Sequence, residues 1–424
     1  MRTTMATENN NKTLNVPNKG EQSQTCLGYA ERKEQSPQGN VPNLRFPEFS
    51  GEWEKFRNDS LFNVVSEKNK GKQITSVLSA SQTDGMVSRD SLGIDIKFEE
   101  DSIKNYKIVR EGDYVIHLRS FQGGFAFSDR VGVCSPAYTI LRPTQQISYG
   151  FLKPFFMSNK FIDSLRLVTY GIRDGKSISV EEWLKLSTSL PSVEEQKKIS
   201  AFLSLLDERI AAQIKIIEKL ESLIRGIVTK VCSGAFVKGE YVFLRDIMTE
   251  RHIKNTENYE VCSVSVSQGI INQIDYLGRS FAAKETLHYN VVNYGDVVYT
   301  KSPTGDFPYG IVKRSCIHRP VAVSPLYGVY QPKNDYIGRF LHLYFKSPIN
   351  AKNYLHRLIQ KGAKNTINIT NSHFLDNKVF IPDDAELKNI VNLTSAIEDK
   401  LILANQMLDS LKSQKSYLLS KMFI

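Results

Sequence analysis

The stretch "YGIRDGKSISVEEWLKLSTSLPSVEEQKKI", residues 170–199, decides the fold because the chain contains it a second time in altered form. Laid without a gap over "KGAKNTINITNSHFLDNKVFIPDDAELKNI", residues 361–390, it matches Gly171 to Gly362, Ile178 to Ile369, Pro191 to Pro382, Glu195 to Glu386 and Ile199 to Ile390, all at one offset. A single register held over this length marks a duplicated structural unit. It also removes the reading that Gly175-Lys176-Ser177 first invites. A phosphate-cradling loop has four residues between its glycines, so that successive backbone N–H groups wrap the phosphates, and it leads from a buried strand into a helix. Here three residues separate Gly171 from Gly175, and the second copy carries Thr366-Ile367-Asn368 in place of Gly-Lys-Ser. The glycine is a turn shared by both copies.

Working outward, "NYKIVREGDYVIH" from Asn105 resembles "HYNVVNYGDVVYT" from His288, with Gly112-Asp113 and Gly295-Asp296 at the same step. A Gly-Asp turn followed by apolar alternation predicts entry into a strand. "FLKPFFMSN" from Phe151 and "FLHLYFKSP" from Phe340 predict a buried helix in each copy. After Pro191 the apolar residues Ile199, Leu203, Leu206, Ile210, Ile217, Leu220, Ile224, Ile227 and Val231 recur at steps of three and four, with Gln213 as the one polar exception. After Pro382 the same sites hold Ile390, Ile397, Leu401, Ala404, Leu408, Leu411, Leu418 and Met422, with Thr394 and Lys415 as exceptions. Such spacing is the seam of a coiled coil rather than the broader stripe of a helix lying on a sheet.

The 424 residues suffice for two or three cores, and 41% hydrophobic with 24% charged residues is ordinary globular composition. The net charge of +10 favours a polyanionic partner, since each neutralised phosphate releases counterions. Cys26, Cys134, Cys232, Cys262 and Cys316 lie far apart with no Cys-x-x-Cys pair, so neither a metal site nor a disulfide framework is expected. Residues 1–42 are rich in Asn, Gln, Lys, Glu and Ser, a composition expected to stay a disordered leader; order is expected to begin around Leu44, Phe46, Phe49, Trp53 and Phe56. No apolar run is long enough for a membrane span and no signal peptide is evident, so a cytoplasmic location is expected.

The expected layout is therefore α+β, with two similar α/β units alternating with two long helices in a pseudo-two-fold internal repeat. A ligand of matching symmetry is duplex DNA, whose two half-sites such a protein can address together. A non-enzymatic scaffold joining other proteins through the same helix pair is the alternative, and it needs no cationic loops.

These residues carry a family resemblance. "LRFPEFSGEW" near the start, the Gly-Asp turn in each unit, the Gly turn about twenty residues before "LPSVEEQKKI" and "IPDDAELKNI", and the long helix after each resemble the specificity subunit of type I restriction-modification systems. The second motif has drifted, with Ala385 and Leu387 where Glu194 and Gln196 stand. The resemblance implies target-recognition domains at residues 43–191 and 234–382, and spacer helices at 192–233 and 383–424 packed as an antiparallel coiled coil. It implies double-stranded DNA as ligand, two methyltransferase subunits docked on the helices, restriction/translocase subunits reached through the assembled complex, and no chemistry by the chain itself. Consistent with that, the sequence has no Pro-Pro, hence no Asn/Asp-Pro-Pro-Tyr/Phe loop for adenine methylation, and no Gly-x-Gly-x-x-Gly; no cofactor is expected.

Base reading needs paired donors and acceptors, with cations holding phosphates. Candidates in the first unit are Arg119, Ser120, Gln122 and Arg130 of "HLRSFQGGFAFSDR", with Arg173 and Lys176 of the Gly turn. In the second they are Lys301, Ser302, Thr304, Lys313 and Arg314 of "YTKSPTGDFPYGIVKR", with Lys364, Asn365 and Thr366.

Overall fold

A computed structural model describes residues 39–71, 73–81, 84–89, 100–117, 124–170, 177–279, 285–361 and 367–424. The apolar alternation after Gly112-Asp113 forms Tyr114–Ile116, the third strand of an antiparallel sheet ordered Phe62–Val65, Thr139–Pro143, Tyr114–Ile116, Phe125–Phe127. The strand after Gly295-Asp296, Val297–Thr300, takes the same place in a sheet ordered Met248–Glu250, Gly328–Pro332, Val297–Thr300, Ile311–Arg314. Each sheet is joined by an antiparallel ribbon, Glu54–Arg57 with Ser187–Leu190 in one lobe and Gly239–Phe243 with Lys378–Pro382 in the other.

The two Gly-Asp turns need a left-handed glycine: φ is 89° at Gly112 and 88° at Gly295. Each buried carboxylate then accepts a backbone N–H three residues back, Asp113 from Arg110 and Asp296 from Asn293, both at 2.8 Å. Each is also clamped by an arginine through two hydrogen bonds, but from different strands. Arg142 of Thr139–Pro143 holds Asp113 at 2.9 Å, whereas Arg251, immediately after Met248–Glu250, holds Asp296 at 2.7 and 3.0 Å.

The first core is aromatic: Phe62, Tyr114, Phe125, Phe127, Phe156, Phe161 and Trp183 pack edge to face or tilted with centroids about 5–6 Å apart. The second is built on Tyr299, Tyr330, Phe345, Tyr354 and Phe374, with Tyr299 and Tyr330 stacked on Phe374. The expected buried helix is one turn, Leu152–Phe156, in the first lobe and a full Asp335–Lys346 in the second. Lys153-Pro154 sits inside the first and limits its extension, because proline donates no backbone N–H.

Two long helices follow the lobes. Ser192, whose side chain accepts the N–H of Glu195, caps Val193–Cys232, 40 residues and about 60 Å. Asp384–Met422 spans 39 residues. Ile199, Leu203 and Leu206 at the start of the first helix share a core with Leu411, Leu418 and Met422 at the end of the second. Conversely Val231 shares the second-lobe core with Leu387, Ile390 and Val391. Between these ends Gln213 Nε2 donates to the Ala404 carbonyl at 2.9 Å. The polar seam positions thus have partners: Gln213 across the seam, Thr394 on its own Ile390 carbonyl at 2.8 Å, and Lys415 on Asp207 at 2.5 Å. An apolar-step rule treats them as faults, yet Gln213 and Thr394 each satisfy a polar group where a buried orphan would cost about 1–3 kcal/mol, while Lys415 pairs at the exposed rim of the seam.

The Glu-Glu-Gln motif acts at the head of the first helix. Glu195, buried, accepts two hydrogen bonds from Arg45 at 2.8 and 2.7 Å. Gln196 donates to the carbonyls of Gln146 and Pro191 and accepts from the N–H of Ser148. Arg45 lies in the segment entering the first lobe, where Leu44 N–H donates to the Lys421 carbonyl and Trp53 meets Phe423. In the second lobe the first helix runs on through the chain itself, and Leu387 buries an apolar side chain where Gln196 stands.

Candidate nucleic-acid interface

The Gly turns that opened the sequence reading fall outside the described residues, between two short strands that pair antiparallel in each lobe. Thr169–Tyr170 pairs with Ser177–Ile178, and Gln360–Lys361 pairs with Ile367–Asn368. A hairpin between two short strands offers no helix N-terminus to a phosphate, which disposes of the nucleotide-loop reading on geometry as well as on spacing. Arg173, Lys176, Lys364, Asn365 and Thr366 belong to the connections 171–176 and 362–366, outside the described residues. Arg119, Ser120 and Gln122 likewise fall outside them, between His117 and Gly124, whose N–H and carbonyl bond at 2.9 Å.

In the first lobe the two candidate loops spring from adjacent places, and in the second the segments beside them contribute to one core. In the first lobe a Cβ on Gly124 would lie 3.3 Å from the Ile178 side chain, so the 117–124 connection and the hairpin share a base. In the second, Phe307 of the 301–310 connection and Ile369 beyond the hairpin enter one core. That connection is shaped internally: Thr304 and Phe307 exchange backbone hydrogen bonds at 3.1 and 2.9 Å, and Tyr299 OH donates to the Tyr309 carbonyl at 2.9 Å. At Gly310, φ is 106° and a Cβ would meet the Thr300 carbonyl oxygen at 1.9 Å, so only glycine closes the loop there.

Lys301, Ser302 and Thr304 are exposed on this connection. Burial lowers the Lys301 ammonium below the usual lysine range, partly opposed by the Glu250 carboxylate nearby. Asp306, beyond the Thr304-Gly305 bend, lines a cleft of about 690 Å³ against the first long helix at Ile224 and Val228, so the loop borders the helices. Arg130 is exposed and held by its neighbour Asp129, Nε to Oδ1 at 2.7 Å.

Lys313 and Arg314 are not loop residues. They close the edge strand Ile311–Arg314, whose two faces are both covered, one of them by helix Asp335–Lys346. Arg314 is buried, ion-paired with Asp335, laid over the Tyr294 ring at 4.7 Å, and its N–H donates to His342 Nδ1 at 3.2 Å. Burial beside Lys346 brings the Lys313 ammonium down to about 8. Burial, reinforced by Lys313, Lys346 and Arg314, brings the His342 imidazole down to about 3, so it is neutral and accepts that N–H.

Sequence reading missed Glu250 and Asn371. Asn371 Nδ2 donates to Glu250 Oε1 at 3.0 Å, and Tyr330 OH donates to the Asn371 carbonyl at 2.8 Å. The contact joins residues 121 apart, so no local pattern announces it.

The long helices keep apolar side chains exposed away from their shared seam. Phe202 and Ile216 on the first stand at the repeat positions of Leu393 and Met407 on the second, and all four are exposed. Among the described residues no group of His, Cys, Asp and Glu could hold a metal ion, and no helix is long and apolar enough to cross a membrane.

Residues 50–222 match the family described as the type I restriction modification DNA specificity domain. Among solved structures the chain is similar to the type I restriction-modification system S subunit from M. genitalium, at 14% identity over 91% of this chain and 99% of that one, with a TM-score of 0.56. It is also similar to a chain from a structure of type I R-M complex assembly and conformational transition, at 13% identity over 88% and 97%, with a TM-score of 0.51. At such identities these two likenesses bear on the fold alone.

Proposed function

Because the chain belongs to the type I restriction-modification specificity family, whose DNA specificity domain its residues 50–222 match, we propose that it recognises a bipartite duplex target with one lobe per half-site. The domains are residues 43–191 and 234–382, and the helices of 192–233 and 383–424 act as an antiparallel coiled-coil spacer. What supports this reading is the repetition of one sheet order and one strand pairing: in each lobe a four-stranded antiparallel sheet of the same order is accompanied by a pair of short strands flanking the Gly connection. Two equivalent reading heads held apart by a two-helix rod suit two short words on one duplex.

The chain's own residues supply recognition and spacing, and methylation falls to docked partners. Phe202 with Ile216, and Leu393 with Met407, give two equivalent exposed apolar strips, which supports two methyltransferase subunits, one per strip. Restriction/translocase subunits join through that assembly. The test is methylome sequencing of cells with and without the chain. Loss of a bipartite methylated motif on deletion is the expected result; an unchanged methylome, with no retardation of duplex DNA by the chain and its methyltransferase together, overturns the reading.

A further inference from the structure

The positive charge is shared unevenly between the lobes. Residues 234–382 hold 18 lysines and arginines against 11 aspartates and glutamates, a balance of +7, whereas residues 43–191 hold 20 against 18, a balance of +2. The spacer segments are close to neutral, +1 over 192–233 with 7 against 6 and −1 over 383–424 with 5 against 6. The second lobe therefore carries most of the chain's +10.

Part of the difference sits beside the proposed reading loops. In the second lobe the helix Pro348–His356 ends next to the 301–310 connection: the His356 ring lies 5.9 Å from that of Tyr309, and Lys352 lines the same cleft as Asp306. Arg357 follows the helix directly, and the short strand Gln360–Lys361 begins three residues on. Lys352 and Arg357 are exposed and make no ion pair with a described residue. The first lobe sets Arg166 four residues before Tyr170 as the second sets Arg357 four before Lys361, at the same repeat offset. Arg166, however, is held by Asp163 at 2.9 Å. Where Asp163 stands the second lobe has Tyr354, buried with its OH on the Phe374 carbonyl at 2.6 Å, and where Asp174 stands it has Asn365. Residues 159–178 thus combine four cations with two acids, while the matching 350–369 keep four cations, Lys352, Arg357, Lys361 and Lys364, and no acid.

We infer that the second lobe supplies most of the sequence-independent grip on the duplex, with Arg357 and Lys352 on its phosphates, while the first lobe adds discrimination more than affinity. A free cation that meets a phosphate displaces a condensed counterion and gains affinity for any sequence. A cation already paired to a carboxylate gives up that pair first, so Arg166 gains less than Arg357. At longer range the field of the +7 lobe draws the duplex to that lobe ahead of the other.

This inference rests on the DNA-reading function above, and the test separates the two. The chain with its methyltransferase partner is titrated onto two labelled duplexes, one of random sequence and one bearing the methylated motif, from about 50 to about 200 mM salt. If the wild type retards neither duplex, the functional reading itself falls. Given binding, Arg357→Gln is expected to flatten the salt dependence on both duplexes by about one unit of slope, so the affinity lost across that range shrinks by roughly three- to fourfold. Adding Lys352→Gln is expected to double the change. Arg357→Lys is expected to keep the wild-type slope, because a phosphate accepts either cation, and Arg166→Gln to move it by well under half as much as Arg357→Gln. Equal flattening by Arg166→Gln and Arg357→Gln overturns the inference, as does an Arg357→Gln slope like that of the wild type. So does retardation of the motif duplex alone at the lowest salt, or a base position lost from the methylated motif of Arg357→Gln, which assigns that residue to base reading.

Discussion

If the helix pair sets the distance between the reading heads, shortening it must shorten the DNA target by a calculable amount. The place to cut is the crossing of Gln213 and Ala404, 191 residues apart and joined at 2.9 Å. Deleting 211–214 from the first helix and 402–405 from the second removes equivalent segments on both sides of that crossing. The contacts nearer each lobe survive: Asp207 with Lys415 at one end, Ile224 with Ile397 and Lys346 with Glu398 at the other. Four residues are about 6 Å at 1.5 Å each, so the lobes approach by about two base pairs at 3.4 Å. The rotation agrees in sign. Four residues turn a right-handed helix by about 400°, a net 40°, while two base pairs of right-handed duplex turn by about 69°. The remaining 30° or so, spread over the spacer, is a few degrees per base-pair step. The lost Gln213 hydrogen bond costs about 0.5–1.5 kcal/mol, small beside the burial at both helix ends.

The assay is a gel-shift series with the methyltransferase partner present, on duplexes whose half-sites are set at the native spacing and at one, two and three base pairs fewer. The optimum is expected to move to two fewer, with both half-site words unchanged. A folded variant, melting within a few degrees of wild type, that still prefers the native spacing would refute the ruler.

Three other outcomes follow from the same geometry. Arg251→Ala strands the buried Asp296 carboxylate and is expected to cost about 3–5 kcal/mol in urea unfolding, with Asp296→Asn less damaging because it removes the charge. The Lys313 ammonium is held at about 8, below its unfolded value of 10.5, so the fold disfavours its charged form: stability is expected to fall as pH drops from about 10.5 to about 8 and to level off below 8, where both states are protonated. At about 1.4 kcal/mol per unit this amounts to a few kcal/mol, and Lys313→Met should flatten that part of a urea-midpoint profile. Ile216→Asp and Met407→Asp are each expected to remove one of two methyltransferase subunits in analytical ultracentrifugation, and both together to remove both, with melting temperature unchanged.

How far the sequence could be read depended on whether a feature repeats or is made by long-range packing. The offset between Gly171 and Gly362 announced a turn shared by both copies but not the paired strands that flank it, and the three-four apolar spacing announced both helices. Those signals are local and occur twice. Lys313 and Arg314 misled because a strand covered on both faces buries its alternate residues too, and the cover, helix Asp335–Lys346, lies some twenty residues on. Gln213 and Thr394 looked like flaws in a seam because their partners are backbone carbonyls, which no residue pattern displays. Glu250 and Asn371 carry no motif of their own and meet only when the sheet brings their loops together.

The Gly-Asp turns show which part of a duplicated design is held and which is free. Both lobes keep the left-handed glycine and the buried carboxylate, since the turn needs the first and the N–H three residues back needs the second. The arginine has moved. Gln331 occupies the register position of Arg142, and neutralisation comes instead from Arg251 on the neighbouring strand. A buried carboxylate demands a cation of good geometry but places no condition on which strand delivers it. The same freedom lets the first lobe fill its sheet edge with Phe127, while the second puts Arg314 at that position and Lys346 where the first has Met157. Under the proposed reading, lobes free to exchange side chains on a fixed frame can come to read different words, and a helix pair acting as spacer would keep those words at one distance whatever they become.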